Sequence, residues 1–369
     1  MKLFKYISRI VIGIVFIFSG IVKAIDPLGT TYKFQDYLTA FNLNFLKDFS
    51  LLFAIILFTC EFLAGVSVLF NMRQKTGIWV VMIMMLLFTP LTLVLALTNP
   101  VSDCGCFGDA IHLSNWQTFT KNVILLVPAV FLFITRNDAE SGGSEKKEWS
   151  AIVVIAVLVI AFAGYNLRYL PVIDFLPYKT GTYIPDKMII PEGKPADQYE
   201  TTFIYEKDGS RKEFTLDDYP AGDTTWKFID QKTTLISKGY EPPIHDFFIT
   251  TLSNEDITEK ILTSEDYTLL MITKKLSEAS PLRLLKGLEI GHHCVRNQVD
   301  FYILSASGMD EIINYSDELV FCQVDEITLK TMVRSNPGYM LLKGGTIIAK
   351  WSWARLPEPD ELLEITSEK

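Results

Sequence analysis

The chain has 369 residues, 49% of them hydrophobic and 21% charged, with 25 Phe, five Cys and a mean hydropathy of +0.25. That composition excludes a disordered chain, a collagen-like repeat and a dense disulfide scaffold. A net charge of −9 excludes a nucleic-acid binder by bulk electrostatics. The charge is also divided unevenly. Residues 1–170 hold 13 basic and 10 acidic side chains, and residues 171–369 hold 21 and 33.

Five apolar runs, at 6–25, 49–70, 77–97, 119–134 and 149–169, are long enough to be read as membrane-spanning helices. The fourth is short and contains Pro128, which predicts a kink or a tilt. Arg9 interrupts the first run and no small-x-small cleavage site follows it, so it is read as a retained helix. Gly13 and Gly20 in the first run, and Gly65 in the second, predict close helix approach. Glu61 is a carboxylate in the middle of an apolar span, which marks a functional site or a hydrogen-bonded packing residue near Ser19. Its neighbour Cys60 reads as a small apolar filler or as a thiol within reach of a membrane quinone.

Basic residues set the orientation. Lys2, Lys5 and Arg9, then Arg73 and Lys75, then Arg136, Lys146 and Lys147 fall on one side, taken as the cytoplasm. The 26–48 and 98–118 loops and everything after 170 fall on the other side, the periplasm of a bacterial inner membrane.

The 98–118 loop carries the sharpest motif, Ser102-Asp103-Cys104-Gly105-Cys106-Phe107-Gly108-Asp109. Two cysteines one residue apart, with a glycine between them, suit a strained and exchangeable disulfide. A static disulfide and half of a metal site are the other readings; only His112 stands near as a further ligand, so no metal is assigned. Asp103 and Asp109 are expected to push the thiol pKa values upward.

The stretch from Arg9 to Lys23 (R-I-V-I-G-I-V-F-I-F-S-G-I-V-K), Glu61 and C-G-C-F-G at 104–108 resemble the DoxX-like superfamily, in particular its MauE branch of methylamine utilisation. The resemblance covers residues 1–135 and implies a membrane redox helper in the maturation of an extracytoplasmic protein, with Cys104 and Cys106 as the active pair. Nothing in the chain itself points to methylamine.

Residues 136–148 read as a cytoplasmic linker and 149–169 as a fifth, anchoring helix. A β-rich connector is expected over 170–238, with strands at 201–205, 211–216, 226–229 and 233–236 and a hairpin turn at Asp208-Gly209. From 239 the pattern is mixed α/β. It has strands at 248–252, 267–273, 301–306 and 320–324, helices at 282–291, 310–314 and 326–334, and a terminal hairpin at 339–342 and 346–351. Pro242-Pro243-Ile244-His245-Asp246-Phe247 and Arg334-Ser335-Asn336-Pro337-Gly338-Tyr339 resemble the lead-in and the cis-proline segment of the thioredoxin fold in its extracytoplasmic forms. The resemblance implies a cis bond at Pro337 and a client-binding role there. The place after 267–273 where that family carries C-x-x-C reads Lys274-Lys275-Leu276-Ser277-Glu278-Ala279-Ser280, and no C-x-x-C occurs in the chain. His292, His293 and Cys294 are expected in a loop after a helix, and Cys294 and Cys322 read as a structural pair or as core filler.

The expected fold is therefore an α-helical membrane bundle of four helices plus an anchor, followed by a periplasmic α/β thioredoxin-like domain without a redox motif. Three functions stay open. One is a thiol–disulfide helper using Cys104 and Cys106, with a periplasmic client or a thioredoxin-like partner and a membrane quinone as acceptor. The second is a non-catalytic assembly protein that binds through its thioredoxin-like domain, and the third is a small-molecule transporter. Whether the chain is an enzyme is left undecided.

Overall fold

The computed structural model describes residues 1–101, 103–138, 144–196, 198–237, 239–315 and 319–367. They fall into two compact units, one made of 1–182 with 248–369 and the other of 183–247.

The first unit opens with α1 (Lys2–Ile25), α2 (Pro27–Ala40), α3 (Ser50–Phe70), α4 (Gln74–Thr98), α5 (Asn115–Ile134) and α6 (Glu145–Arg168). All but α2 are long and apolar enough to cross a membrane, α3 together with the short 3-10 turn Asn44–Phe49 before it. Large apolar side chains such as Leu87, Ile124, Val127 and Leu158 are more than 60% exposed on these helices. Water would penalise such a surface and lipid does not, so the bundle is that of a membrane protein.

Inside the bundle, small residues decide the packing. A side-chain carbon on Gly65 would lie 2.7 Å from the Ile17 backbone nitrogen, and one on Gly20 would lie 2.7 Å from that of Phe62. α1 and α3 therefore touch backbone to backbone, as the glycine pattern predicts. Pro90 and Pro128 sit inside α4 and α5.

Within the bundle, α2 is the helix that the sequence does not announce. Asp26 caps it by accepting from the Gly29 amide at 2.9 Å, and Pro27 occupies its first position. The linker reading at 136–148 also needs correction, since Arg136–Asp138 is a 3-10 turn and α6 begins at Glu145; residues 139–143 lie outside the described ones.

The same unit continues with β4 (Thr250–Thr251), α8 (Thr258–Thr263), β5 (Tyr267–Thr273), α9 (Pro281–Arg296), β6 (Asp300–Ser305) and α10 (Met309–Ile312). It ends with β7 (Val320–Gln323), α11 (Glu326–Met332), β8 (Gly338–Lys343), β9 (Thr346–Ser352) and α12 (Pro359–Ser367). The strands form one six-stranded sheet in the order β4-β7-β6-β5-β8-β9. β5, β6 and β7 run parallel, β8 pairs antiparallel with β5, and β9 pairs antiparallel with β8. Both central strands are buried, so their residues read as unbroken apolar runs rather than alternating ones. Leu269, Met271, Leu284, Phe301, Ile303 and Tyr339 form part of the core. This is the mixed α/β domain that the alternation predicts, with α12 as an addition.

Three expectations change here. His292, His293 and Cys294 lie within α9, not in a loop after it. Cys294 and Cys322 are separate buried thiols and do not pair. The strand expected at 248–252 shrinks to two residues.

The second unit holds α7 (Ile184–Met188) and an antiparallel sheet of β1 (Gln198–Lys207), β2 (Ser210–Phe214) and β3 (Lys227–Ser237) in the order β2-β1-β3. Asp208 and Gly209 both take positive φ, 51° and 80°, which is the tight hairpin their sequence predicts. The expected strands at 226–229 and 233–236 are one strand, because pairing along the whole of β1 carries it through Asp230–Lys232. Phe203, Tyr205, Phe214 and Phe228 pack edge to face across this sheet.

Candidate functional site

The cysteine motif lies in the α4–α5 loop, at the end of the bundle opposite the basic residues Lys5, Arg9 and Arg73. That basic end is tied together by Lys5 donating to the Thr135 carbonyl, by Arg9 donating to the Val68 and Leu69 carbonyls, and by Arg73 paired with Glu145. Gly105 has φ +63°, a conformation that a side chain at this position would strain. The turn is closed by the Gly108 amide donating to the Gly105 carbonyl. The result brings the sulfurs of Cys104 and Cys106 to 3.2 Å, as free thiols in contact.

Four elements hold this loop. From α2, the Tyr37 hydroxyl donates to the Cys104 carbonyl at 2.6 Å, and Lys33 pairs with Asp103 at 2.7 Å. Asp103 in turn accepts from the Gly105 amide. From α1, Ser19 and Lys23 both donate to the Cys106 carbonyl, at 2.8 and 2.6 Å. Lys23 also pairs with Glu61 of α3 at 2.8 Å, and the one Ser19 hydroxyl hydrogen is shared between that carboxylate, at 3.1 Å, and the Cys106 carbonyl. From α5, the Lys121 ammonium lies 4.4 Å from the centre of the Phe107 ring.

Glu61 therefore does connect to the loop, through Lys23 and Ser19. Lys23 is the residue the sequence reading missed as a site residue. The available signal was its place four residues after Ser19, on the same helical face, as a charge inside an apolar span.

The two thiols are unequal. Contact with the Cys104 thiol, aided by the charges of Lys121 and Lys23, holds Cys106 below the ordinary thiol range. The same contact and burial push Cys104 upward. Of the two, Cys106 is the sulfur more disposed to carry a thiolate. The expected role of Asp103 and Asp109 is corrected, because Asp103 is neutralised by Lys33 and Asp109 by Arg334 at 2.5 Å.

Beneath the loop lies a cavity of about 110 Å³. Phe16, Leu57, Phe88 and Leu125 supply apolar wall, and both cysteines, Lys23, Glu61 and Lys121 line it as well. Cys60 is not part of this lining; it packs half-buried against the apolar core of the bundle.

The Asn336-Pro337 bond is cis. Pro337 itself is buried, which removes it as an open client-binding surface in this arrangement. The carboxyl end of β5 meets the loop before β8: Asn336 accepts from the Thr273 hydroxyl and the Lys274 amide. Lys274, standing where a redox cysteine was sought, is buried and hydrogen-bonded to the Tyr32 hydroxyl of α2. Burial, reinforced by the charges of Arg334 and Lys330, pushes its ammonium down to about 7. Arg334 spans from Asp26 at 2.8 Å to Asp109 at 2.5 Å. Tyr32, Lys33 and Tyr37 of α2, Lys121 of α5 and Arg334 before β8 have no motif in common with the cysteine loop, and the sequence does not mark them as site residues.

Comparison with known proteins agrees with the N-terminal reading. No curated protein and no solved structure matches the chain. A domain of unknown function, DUF8463, matches residues 199–238, within the second unit. Residues 1–135, which hold the bundle through α5 and the whole cysteine loop, match the family described as Methylamine utilisation protein MauE.

Proposed function

We propose that the chain is a membrane-embedded thiol–disulfide redox helper whose reactive pair is Cys104 and Cys106. The observation that carries this reading is the 3.2 Å contact of the two sulfurs above a cavity lined by three lysines and a carboxylate. In the oxidised pair, a client thiolate attacks one sulfur and displaces the other. The second client thiol then resolves the mixed disulfide, leaving a client disulfide and two loop thiols. Lys121 and Lys23 favour Cys106 as the leaving thiolate. Returning the pair to a disulfide releases two electrons and two protons, and the acceptor this reading names is a membrane quinone. Phe16, Leu57, Phe88 and Leu125 on the cavity wall are the apolar side chains such an acceptor would meet.

The orientation follows from charge. The basic end faces the cytoplasm, and the cysteine loop and the α/β domain face the periplasm of a bacterial inner membrane. The α/β domain reads as thioredoxin-like. Its parallel β5-α9-β6 unit and antiparallel β8–β9 hairpin support that assignment. Methylamine metabolism is carried only by the family match.

The test is differential alkylation of membranes poised at oxidising and reducing potentials, read on the loop peptide, together with client thiol content in Cys104→Ser and Cys106→Ser. The reading expects the loop to cycle and both variants to lose client oxidation. A loop locked in one state at every potential, with unchanged client oxidation, would leave it as a structural clasp.

A further inference from the structure

The α/β domain is joined to the bundle through α2 and the cysteine loop, at Asp26, Tyr32 and Asp109. Arg334 lies between the carboxylates of Asp26 and Asp109, with its side chain 6% exposed. Asp26 is the cap of α2, and Asp109 is three residues after Cys106. The backbone of Gly29, in the first turn of α2, lies against this cluster. A side-chain carbon there would come within 2.5 Å of the Asp26 carboxylate and 2.9 Å of that of Asp109. One turn further on, Lys33 packs over Gly105, where a side-chain carbon would meet its Cγ at 2.9 Å. Another turn on, Tyr37 holds the Cys104 carbonyl. Tyr32, on the same helix, is ringed by three cations of the α/β domain: Lys274 and Lys330 at 4.8 Å and Arg334 at 5.3 Å from its ring centre.

The chain of contact is therefore continuous, from Arg334 through Asp26 and Asp109 to α2 and on to Gly105. The end of the α/β domain that makes it contains no cysteine, so it cannot exchange with the loop it rests on. Cys294 and Cys322 lie buried in that domain's core. The contact is electrostatic and not packed solid, since a cavity of about 210 Å³ borders Arg334, Asp174 and Lys350. Across this interface the domain is held by a few buried charge pairs rather than by a close-packed apolar core.

We infer that the face formed by Asp26, Tyr32 and Asp109 is a docking surface whose resident occupant is the chain's own α/β domain. The docked domain pins α2 over the cysteine loop, and partners reach Cys104 and Cys106 when it lifts. The kind of partner the face fits is a protein that presents a basic side chain beside its thiols, in competition with Arg334. This inference builds on the loop as the reactive site, but its test reads accessibility and needs no turnover.

The experiment uses the full chain in nanodiscs with Arg334→Glu, and with the charge swap Arg334→Glu plus Asp109→Arg. Hydrogen exchange of the α2 amides reports docking. Labelling of the loop peptide by a bulky polyethylene-glycol maleimide, compared with small N-ethylmaleimide, reports access. Loss of a buried pair predicts that Arg334→Glu speeds both α2 exchange and bulky labelling by about tenfold or more, with a smaller change for the small reagent. The swap should restore both. Faster exchange with unchanged bulky labelling would overturn the gate, and unchanged exchange would overturn the docking contact. A loss not restored by the swap would count against it as general unfolding.

Discussion

Replacing Lys23 by Met tests the core of the site. The Lys23 and Glu61 side chains are 4% and 8% exposed, and the ammonium reaches Glu61, the Ser19 hydroxyl and the Cys106 carbonyl. Lys23→Met leaves the carboxylate with Ser19 alone, and an uncompensated buried charge costs about 3–5 kcal/mol. Glu61→Leu strands the ammonium in the same way, although Ser19 and the Cys106 carbonyl still accept from it. The double variant removes both charges and keeps the volume apolar. What it loses is one of two donors to the Cys106 carbonyl, about 1–2 kcal/mol. The cycle should therefore be strongly non-additive, with the double variant more stable than Lys23→Met. Unfolding of the protein in mixed micelles, followed with denaturant for all four members of the cycle, gives the three differences. A double variant that costs the sum of the single ones would show that the two side chains do not act as a pair. The reasoning about how the loop is held would then fail with it.

Three further outcomes follow from the same geometry. Gly20→Ala places a carbon 2.7 Å from the Phe62 nitrogen and 2.8 Å from the Phe58 carbonyl oxygen, so α1 and α3 must part. The cost should be about 1–3 kcal/mol by the same unfolding assay. Lys121→Met removes a cation that favours the Cys106 thiolate, so the midpoint of its alkylation rate against pH should move upward. Docking of the α/β domain should tighten as pH rises from about 7 toward the ordinary lysine value. Lys274 is pushed down to about 7 when docked and binds a proton more readily when released. It faces Arg334 and Lys330, with Asp26 and Glu278 opposing them and Tyr32 as its hydrogen-bond partner. Tyr32 is raised by burial and stays protonated in that range. Protection of the α2 amides, taken relative to their intrinsic base-catalysed exchange, should rise across it, and Lys274→Met should flatten the response.

The membrane bundle was legible because lipid asks for one property over about 20 residues, which composition alone reveals. The α/β sheet was legible because doubly buried strands are unbroken apolar runs, as Tyr267–Thr273 shows. α2 was not seen. Its sequence is polar and it lies between two apolar spans, so the eye assigns it to a loop. Its start was nonetheless written in Asp26-Pro27, an N-cap followed by a proline that lacks only a donor the first turn does not use. The strand expected at 248–252 failed for the opposite reason. Its composition is right for a strand, but only Thr250 and Thr251 find a partner in β7.

The site itself was half legible, and the boundary falls where sequence distance grows. Cys104, Gly105 and Cys106 carry their chemistry within three positions. Their supports come from 83 residues away for Lys23 and 67 for Tyr37, while Arg334 reaches Asp109 across 225. No local pattern encodes those distances. One link does connect the two scales. Ser19 and Lys23 are four apart and share a helical face, and Gly20 lies between them. Because Gly20 has no side chain, α1 can bring its backbone against Phe58 and Phe62 of α3, and Glu61 sits within that same turn. The glycine thus sets how near Glu61 comes to the Ser19–Lys23 face. A substitution at Gly20 that widens the helix pair should weaken the ion pair and loosen the Cys106 carbonyl together, although it touches neither.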